Sequence, residues 1–563
     1  MSDKKRLKLV LCWHMHQPEY RDLQTGEFQL PWTYLHVIKD YVDMVAHLEA
    51  EPNAKAVVNF APILLEQIED YAKQVNCFLQ DHIEMKDPLL AALATSAIPA
   101  NIDERQELIN NCMRANRERQ IDRYPAFKNL AKMAEWVQSN ADSMRYINSQ
   151  FIDDFLVWYH LAWMGETVKL SDTRIQRLIA KESNFTLHDR LEIIEIIGEL
   201  LSKVIYRYKA LATKGRIELS VTPYAHPIIP LLLDIKSTHE AMPGAPLPEL
   251  DTYPGGEERV KWHLKQGVAT FKRFFGFTPA GCWPSEGAIS TASLKIIKEA
   301  GFSWTATGGQ VLHNSLTVSK LSSSDIGVHH PFQVKGTKIP CFFRDDGLSD
   351  LIGFKYSKWH ADDAVNDMIH HLQTIAANEP ADSVVSIIMD GENAWEYFPE
   401  NGYHFLKAFY QRLANHPDIE LTTFSECLEN KVTVKELPKL MAGSWVYGTF
   451  STWIGDPDKN RGWDMLGDAK WAFDKIIATG RLSKMQVMEA EFQLAVCEGS
   501  DWFWWFGDYN PGQAVSSFEK QFRLNLANLY HKLGEEPPAY LALSFTQGSG
   551  APAMGGTMRK GSD

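Results

Sequence analysis

Two textures of apolar and polar positions divide this chain. Short, nearly continuous apolar runs rich in β-branched residues recur at 7–13, 56–60, 217–221, 302–306, 339–343, 384–389 and 419–422. Such runs suit strands covered on both faces, as in a parallel sheet flanked by helices. Amphipathic stretches at 288–300, 362–376 and 403–414 carry helical spacing and separate the later runs. Strands alternating with helices predict a parallel sheet, and seven or so in one domain favour a barrel over an open sheet. A further short strand is expected inside 279–289, where a brief apolar run ends at Trp283.

The second texture is purely helical. From about 67 to 214 the pattern is helical and charged, with few strand candidates, and reads as an insertion between barrel strands and a candidate lid. After about Val432 amphipathic helices follow at 469–479, 483–497 and 516–533. The expected fold is therefore α/β: a seven-stranded (β/α) barrel over 1–431 with its helical insertion, then an α-helical bundle over 432–545. The Gly-, Ser- and Met-rich tail, 546–563, is expected to be disordered.

Composition narrows the chemistry. A net charge of −14 argues against wrapping a nucleic-acid backbone. No apolar stretch reaches membrane-spanning length, and the first apolar run breaks at His14 without a small-residue cleavage site, so it predicts a strand and not a signal peptide. Seven cysteines (Cys12, Cys77, Cys112, Cys282, Cys341, Cys427 and Cys497) are scattered singly, an odd count without a C-x-x-C pair. That fits reduced thiols in a cytoplasmic protein and argues against disulfides or a zinc knuckle. With 17 Trp, indole exceeds what a core needs; most of it packs, and stacking on sugar faces is one use for the excess.

Candidate chemistry gathers at strand ends. The segment 383–397, SVVSIIMDGENAWEY, runs apolar and stops at Asp390, Gly391 and Glu392, with Trp395 beyond. The segment 279–289, PAGCWPSEGAI, repeats that design with Trp283 and Glu286. Ligands of α/β folds sit at the carboxyl ends of strands. Two acids from two strands of one barrel can converge over its mouth, as a retaining glycosidase requires at roughly 5–5.5 Å. Asp390 ends its strand and is preferred for proton transfer; Glu392, two residues into the loop, competes with it. The plainer alternatives are an Asp-Gly turn and, for Glu286, an acid at a helix start. His14 and His16 project to one side of an extended segment. They could hold sugar hydroxyls, ligate a metal with His226 and Asp390, or be structural; sugar contact is preferred. Glu218 and His226 accompany the strand at 217–221, and Arg344 stands with Asp345 and Asp346 at another strand end, either lining the mouth or forming a loop-edge salt bridge. The cluster 499–505, GSDWFWW, either packs on the barrel or touches ligand.

These residues resemble glycoside hydrolase family 57, a family of α-glucan-active amylases and glucanotransferases. His16-Gln17-Pro18 is similar to its first motif, Gly215-Arg216-Ile217-Glu218 to its second, and Trp283-Pro284-Ser285-Glu286 to its third. Asp390-Gly391-Glu392-Asn393-Ala394-Trp395 resembles the fourth and Gly499-Ser500-Asp501-Trp502 the fifth, all five in order. The resemblance implies a retaining mechanism with Glu286 as nucleophile, Asp390 as general acid/base and no metal or cofactor. The candidate substrate contacts are His14, His16, Glu218, His226, Trp283, Arg344, Glu392, Trp395, Asp501 and Trp502. Arg216 departs from the more usual Gln. The implied substrate is an α-glucan or maltooligosaccharide, cut as an amylase or amylopullulanase would, with glucanotransfer or branching as alternatives. A metal-dependent hydrolase built on His14 and His16, or a non-catalytic glucan-binding protein, are the readings of another class.

Overall fold

The computed structural model describes residues 6–95, 99, 101–321 and 327–550. Ten strands form one sheet: β1 (Leu7–Met15), β2 (Ala56–Phe60), β3 (Ile217–Val221), β4 (Gly281–Cys282), β5 (Trp304–Thr307), β6 (Phe332–Val334), β7 (Pro340–Phe343), β8 (Val384–Asp390), β9 (Ile419–Thr422) and β10 (Lys435–Leu437). Its order is β10-β6-β7-β5-β4-β3-β2-β1-β8, with β9 added beside β1. The stretch from β7 to β8 is parallel throughout, seven strands in all, as the alternation of apolar runs and helices predicted.

This sheet curls into a barrel, and among the described residues no strand ladder joins β7 to β8. Asp345 N donates to Ser386 O at 2.8 Å and the Arg344 guanidinium Nε to Ile388 O at 2.8 Å, bringing the end of β7 onto β8. Ser349 Oγ adds an acceptor for Ile388 N at 3.4 Å.

Side-chain alternation sorts each strand into two faces. On β1, Val10 and Cys12 join a cluster with Val57, Trp304, Phe342, Val384 and Ile388, which fills the barrel, whereas Leu9, Leu11 and Trp13 pack outward against helices. That parity carries upward. His14, Asn59 and Asp390 are the next members of the inward series on β1, β2 and β8, and register sets His14 opposite both Asn59 and Asp390. Polar residues thus crown an apolar filling at the carboxyl end.

The insertion is helical, from Pro62–Asp81 through the capped 27-residue helix Leu187–Thr213, and lies between β2 and β3 as expected. Beyond β10 come the helices Pro457–Ala478, Lys484–Cys497, Asp501–Trp505 and Gly512–Leu533. Three features differ from the sequence reading. β4 is only two residues long, so Glu286 sits in the turn after it and not on a strand. β6 and β10, three residues each, were not foreseen because so short a run carries no period. Within the tail, Thr546 Oγ1 donates to Asp458 at 2.6 Å and Gly550 N to Asn510 O at 3.0 Å, so 546–550 pack on the helical part; 551–563 lie outside the described residues.

Candidate active site

A cavity of ≈ 810 Å³ opens over the carboxyl end of the barrel and takes in Glu286, Asp390, His14, His16, Arg344 and Asp501. The insertion adds Arg114 and Trp163 to its wall, and the helical part adds Trp504, Trp505 and Tyr509.

Glu286 occupies a turn with φ +58°, a left-handed conformation that few non-glycine residues adopt. Such strain persists only where the surroundings hold it, and it concentrates at functional sites. Here Trp445 holds it twice: its backbone N donates to Glu286 O at 3.1 Å and its indole Nε1 to Oε2 at 2.9 Å. Trp283, fully buried, stands edge-on to Trp445 with centroids 5.2 Å apart, and so braces the holder rather than meeting a sugar.

Asp390 ends β8, partly exposed at the cavity, and Asn393 Nδ2 donates to its Oδ2 at 2.9 Å. Burial pushes its carboxyl pKa up, against the pull of Asn393, His16 and Arg344. A carboxyl biased toward its protonated form suits a general acid. Glu392 is 2% exposed, its Oε1 accepting from His16 N at 3.4 Å and Gln17 Nε2 at 3.3 Å. Burial first, then Asp390 and Asp40, drive its pKa up, which favours its neutral form behind the site.

The three histidines form a defined network. Thr222 Oγ1 donates to Asn59 Oδ1 at 2.7 Å while Asn59 Nδ2 donates to Ser220 Oγ at 3.0 Å, which makes Oδ1 the acceptor for His14 Nδ1 at 2.7 Å. His14 Nε2 is then bare and accepts from His226 Nε2 at 3.2 Å, leaving His226 Nδ1 to accept from Ser500 Oγ at 2.8 Å. Burial, reinforced by the neighbouring His16, brings His14 down to about 3 and His226 well below the usual imidazole range, so both rings are neutral. His16 Nε2 donates to Asp501 Oδ1 at 2.7 Å, and its ring stacks on His226 with centroids 3.7 Å apart and planes at 16°.

Among the described residues, His16, His226 and Asp501 are also the group whose ligand atoms lie close enough for a metal, within 4.8 Å of one another. An imidazole binds metal in its own plane, and two nearly parallel stacked rings aim their lone pairs side by side instead of at one point. A metal would also have to displace the bonds to Ser500, His14 and Asp501. The donor set does not fit a metal as arranged.

Other expected contacts lie elsewhere. Glu218 is the second residue of β3, at the opposite end of the barrel from the cavity, where it accepts from Trp304 Nε1 and Ser425 Oγ, both at 2.6 Å. Its part is to tie the barrel floor, which its place at a strand start already implied. Arg216 donates to Leu48 O at 2.5 Å and to Glu51 O, fastening the end of a helix below the sheet rather than selecting a substrate. Arg344 borders the cavity and donates to Ile388 O, Asp346 and Asp350. Trp395 is buried against Trp13 and donates to Gly391 O at 2.9 Å, supporting the Asp390 loop from behind. Trp502 packs on Phe518 and Phe522 of the helix Gly512–Leu533, while its neighbours Trp504 and Trp505 line the cavity. The sequence reading did not place Trp445, Asn393, Asn59, Ser500 or Trp163 in the site. The Asn393 signal lay in plain view, three residues after Asp390.

Comparison with known proteins bears on this arrangement. The family model described as Glycosyl hydrolase family 57 matches residues 10–441. Among solved structures, the branching enzyme of Pyrococcus horikoshii is similar at TM-score 0.56 and 17% identity, over 95% of this chain and 93% of that one. The α-amylase AmyC of Thermotoga maritima is similar at TM-score 0.56 and 12% identity, over 94% of each chain. The 4-α-glucanotransferase of Thermococcus litoralis is similar at TM-score 0.51 and 15% identity, over 93% of this chain and 60% of that one. At these identities the likeness is one of fold. No curated sequence matches.

Proposed function

The chain belongs to glycosyl hydrolase family 57, and from that premise we propose that it cleaves α-glucans with retention, Glu286 attacking the anomeric carbon and Asp390 serving as general acid and then base. One observation carries the reading: two carboxyl groups, one strained and gripped by Trp445, the other biased toward its protonated form, border a single aromatic-walled cavity. A nucleophile must stay fixed and ionised while its partner holds a proton for the departing oxygen, so the two acids need unlike surroundings. They have them. The neutral His14 and His226, their ring nitrogens bonded to Asn59, to each other and to Ser500, back the His16–Asp501 pair, which faces the cavity as a fixed polar group for sugar hydroxyls, and Trp504, Trp505 and Tyr509 offer ring faces to the chain beyond the cleaved bond. Hydrolysis of an α-glucan is the preferred outcome; transfer to a second glucan uses the same glycosyl-enzyme and differs only in the acceptor.

The test is to trap the intermediate. Asp390→Asn, given an α-glucosyl fluoride that leaves without proton help, should form a glycosyl-enzyme that turns over slowly, and peptide mass spectrometry should place the sugar on Glu286. A sugar found on another carboxylate, or no adduct alongside normal turnover of the fluoride, would remove Glu286 from the mechanism.

A further inference from the structure

Beneath the histidine network lies a second polar cluster that touches no part of the cavity. The helix Gly256–Phe275 carries Arg259 and His263, both buried, against Glu498, the residue that ends the helix Lys484–Cys497. Glu498 accepts from Arg259 Nε at 2.9 Å and Nη2 at 2.9 Å, from Tyr253 Oη at 2.7 Å and from His263 Nε2 at 2.7 Å. Burial opposes charge on Glu498, yet Arg259 and His263 hold its carboxyl down to about 2.

His263 faces two ways. While Nε2 donates to Glu498, Nδ1 accepts from the backbone N of Ala225 at 3.4 Å and the His263 carbonyl accepts from Tyr224 N at 3.1 Å. One ring and its peptide thus grip the turn 224–226 on the barrel side and the turn 498–501 on the helical side. The first turn presents His226, itself left-handed at φ +61°; the second presents Ser500 and Asp501. Between them Ser500 N donates to His226 O at 2.9 Å and Ser500 Oγ to His226 Nδ1. A Cβ on Gly499 would lie 3.0 Å from Ala225 O, so the two turns approach as closely as a glycine permits.

We propose that His263, acting with Glu498 and Arg259, is a positioning residue for the reaction: it sets the register between the barrel turn that carries His226 and the helical turn that carries Ser500 and Asp501. A buried ion cluster adds little net stability over an apolar filling of the same volume, whereas its directional bonds fix where two backbones meet. A shift of the 498–501 turn would move Ser500 off His226 and Asp501 off His16 together. The inference rests on Glu286 and Asp390 being the reacting pair.

Its test counts active sites separately from their speed. A 5-fluoro-α-glucosyl fluoride labels functional sites through Glu286, and turnover of maltoheptaose is then expressed per labelled site. His263→Leu should lower kcat per labelled site by about 100-fold, the scale of an ångström-level misplacement, with KM changed less than about threefold. His263→Gln, which can donate to Glu498 and accept from Ala225, should recover all but about tenfold of that loss. Glu498→Asp keeps the charge and folds around it while drawing the turn back by one methylene, and should lose about tenfold. Unchanged kcat per labelled site in Glu498→Asp and in any folded His263→Leu, or a loss seen only as fewer labelled sites, would overturn the proposal. If the reagent labels no site in the unmodified protein, it is the proposed function that fails. The register is then read from the 15N shift of His226 Nδ1 in histidine-labelled protein, which should move in Glu498→Asp; an unmoved shift refutes the positioning role.

Discussion

Asn393 offers the sharpest test of which acid gives the proton. Its Nδ2 donates to Asp390 Oδ2 at 2.9 Å, and that bond favours the ionised carboxylate. Asn393→Leu keeps the bulk and removes the donor. A hydrogen bond to a charged group is worth about 1.5–3 kcal/mol, and 1.36 kcal/mol corresponds to one pKa unit. Since Asn393 and Asp390 are both partly exposed, the lower end applies, and the Asp390 pKa should rise by about one unit. The sign follows directly. A general acid must be protonated, so a higher pKa keeps it competent to higher pH. The alkaline limb of kcat/KM on maltoheptaose should therefore move up by about one pH unit, while the acid limb, set by ionisation of the nucleophile, stays where it was. With α-glucosyl fluoride, which leaves unaided, the alkaline shift should be absent. An alkaline limb that stays put or moves down, or a shift of the acid limb instead, would refute Asp390 as the acid.

Glu286→Gln should cut turnover by about three orders of magnitude or more while leaving glucan binding near normal, measured by calorimetry against steady-state rates. Glu392→Gln imitates the neutral form that burial favours and should keep most activity, whereas Glu392→Ala opens the wall behind Asp390 and should not. The stability of these proteins should also diverge with pH. Because the folded pKa of Glu392 stands above its ordinary 4.5, its contribution is whole below that value and is lost as pH rises toward the folded pKa, so the melting temperature of Glu392→Gln should gain on the parent as pH climbs. Dialysis against a chelator should leave maltoheptaose cleavage unchanged; loss restored by zinc would mean that the stacked His16 and His226 rings rotate to bind it.

Much of the scaffold was legible because period and burial speak locally. The runs at 56–60, 217–221 and 419–422 became strands with those limits, and 384–389 stopped one residue short of Asp390. The two acids and His14 and His16 were readable for the same reason, since strand ends announce themselves. Partners that arrive from far along the chain were not. Trp445 grips Glu286 across 159 residues, and Asp501 reaches His16 across 485, distances over which a single sequence carries no pairing signal. Asp501 stood out only as part of the aromatic cluster 499–505 and of the fifth motif, with nothing to pair it with His16. Glu218 was counted among the contacts, although its place at the start of β3 sets it on the floor.

The unladdered gap between β7 and β8 has a consequence for how the protein ages and fails under heat. A ring of strands opens where the fewest main-chain bonds must break at once, and here that line is fastened by the Arg344 guanidinium, the peptide N–H of Asp345, the Ser349 hydroxyl and, at the foot of β8, the peptide N–H of Val384 on His329 O. Asp390 sits at the top of the strand bordering it. Amide exchange should be fastest along β8 among the barrel strands, and catalysis should disappear in a melt before the helices do. A stitch added along that line would lengthen working life at temperature without touching either acid.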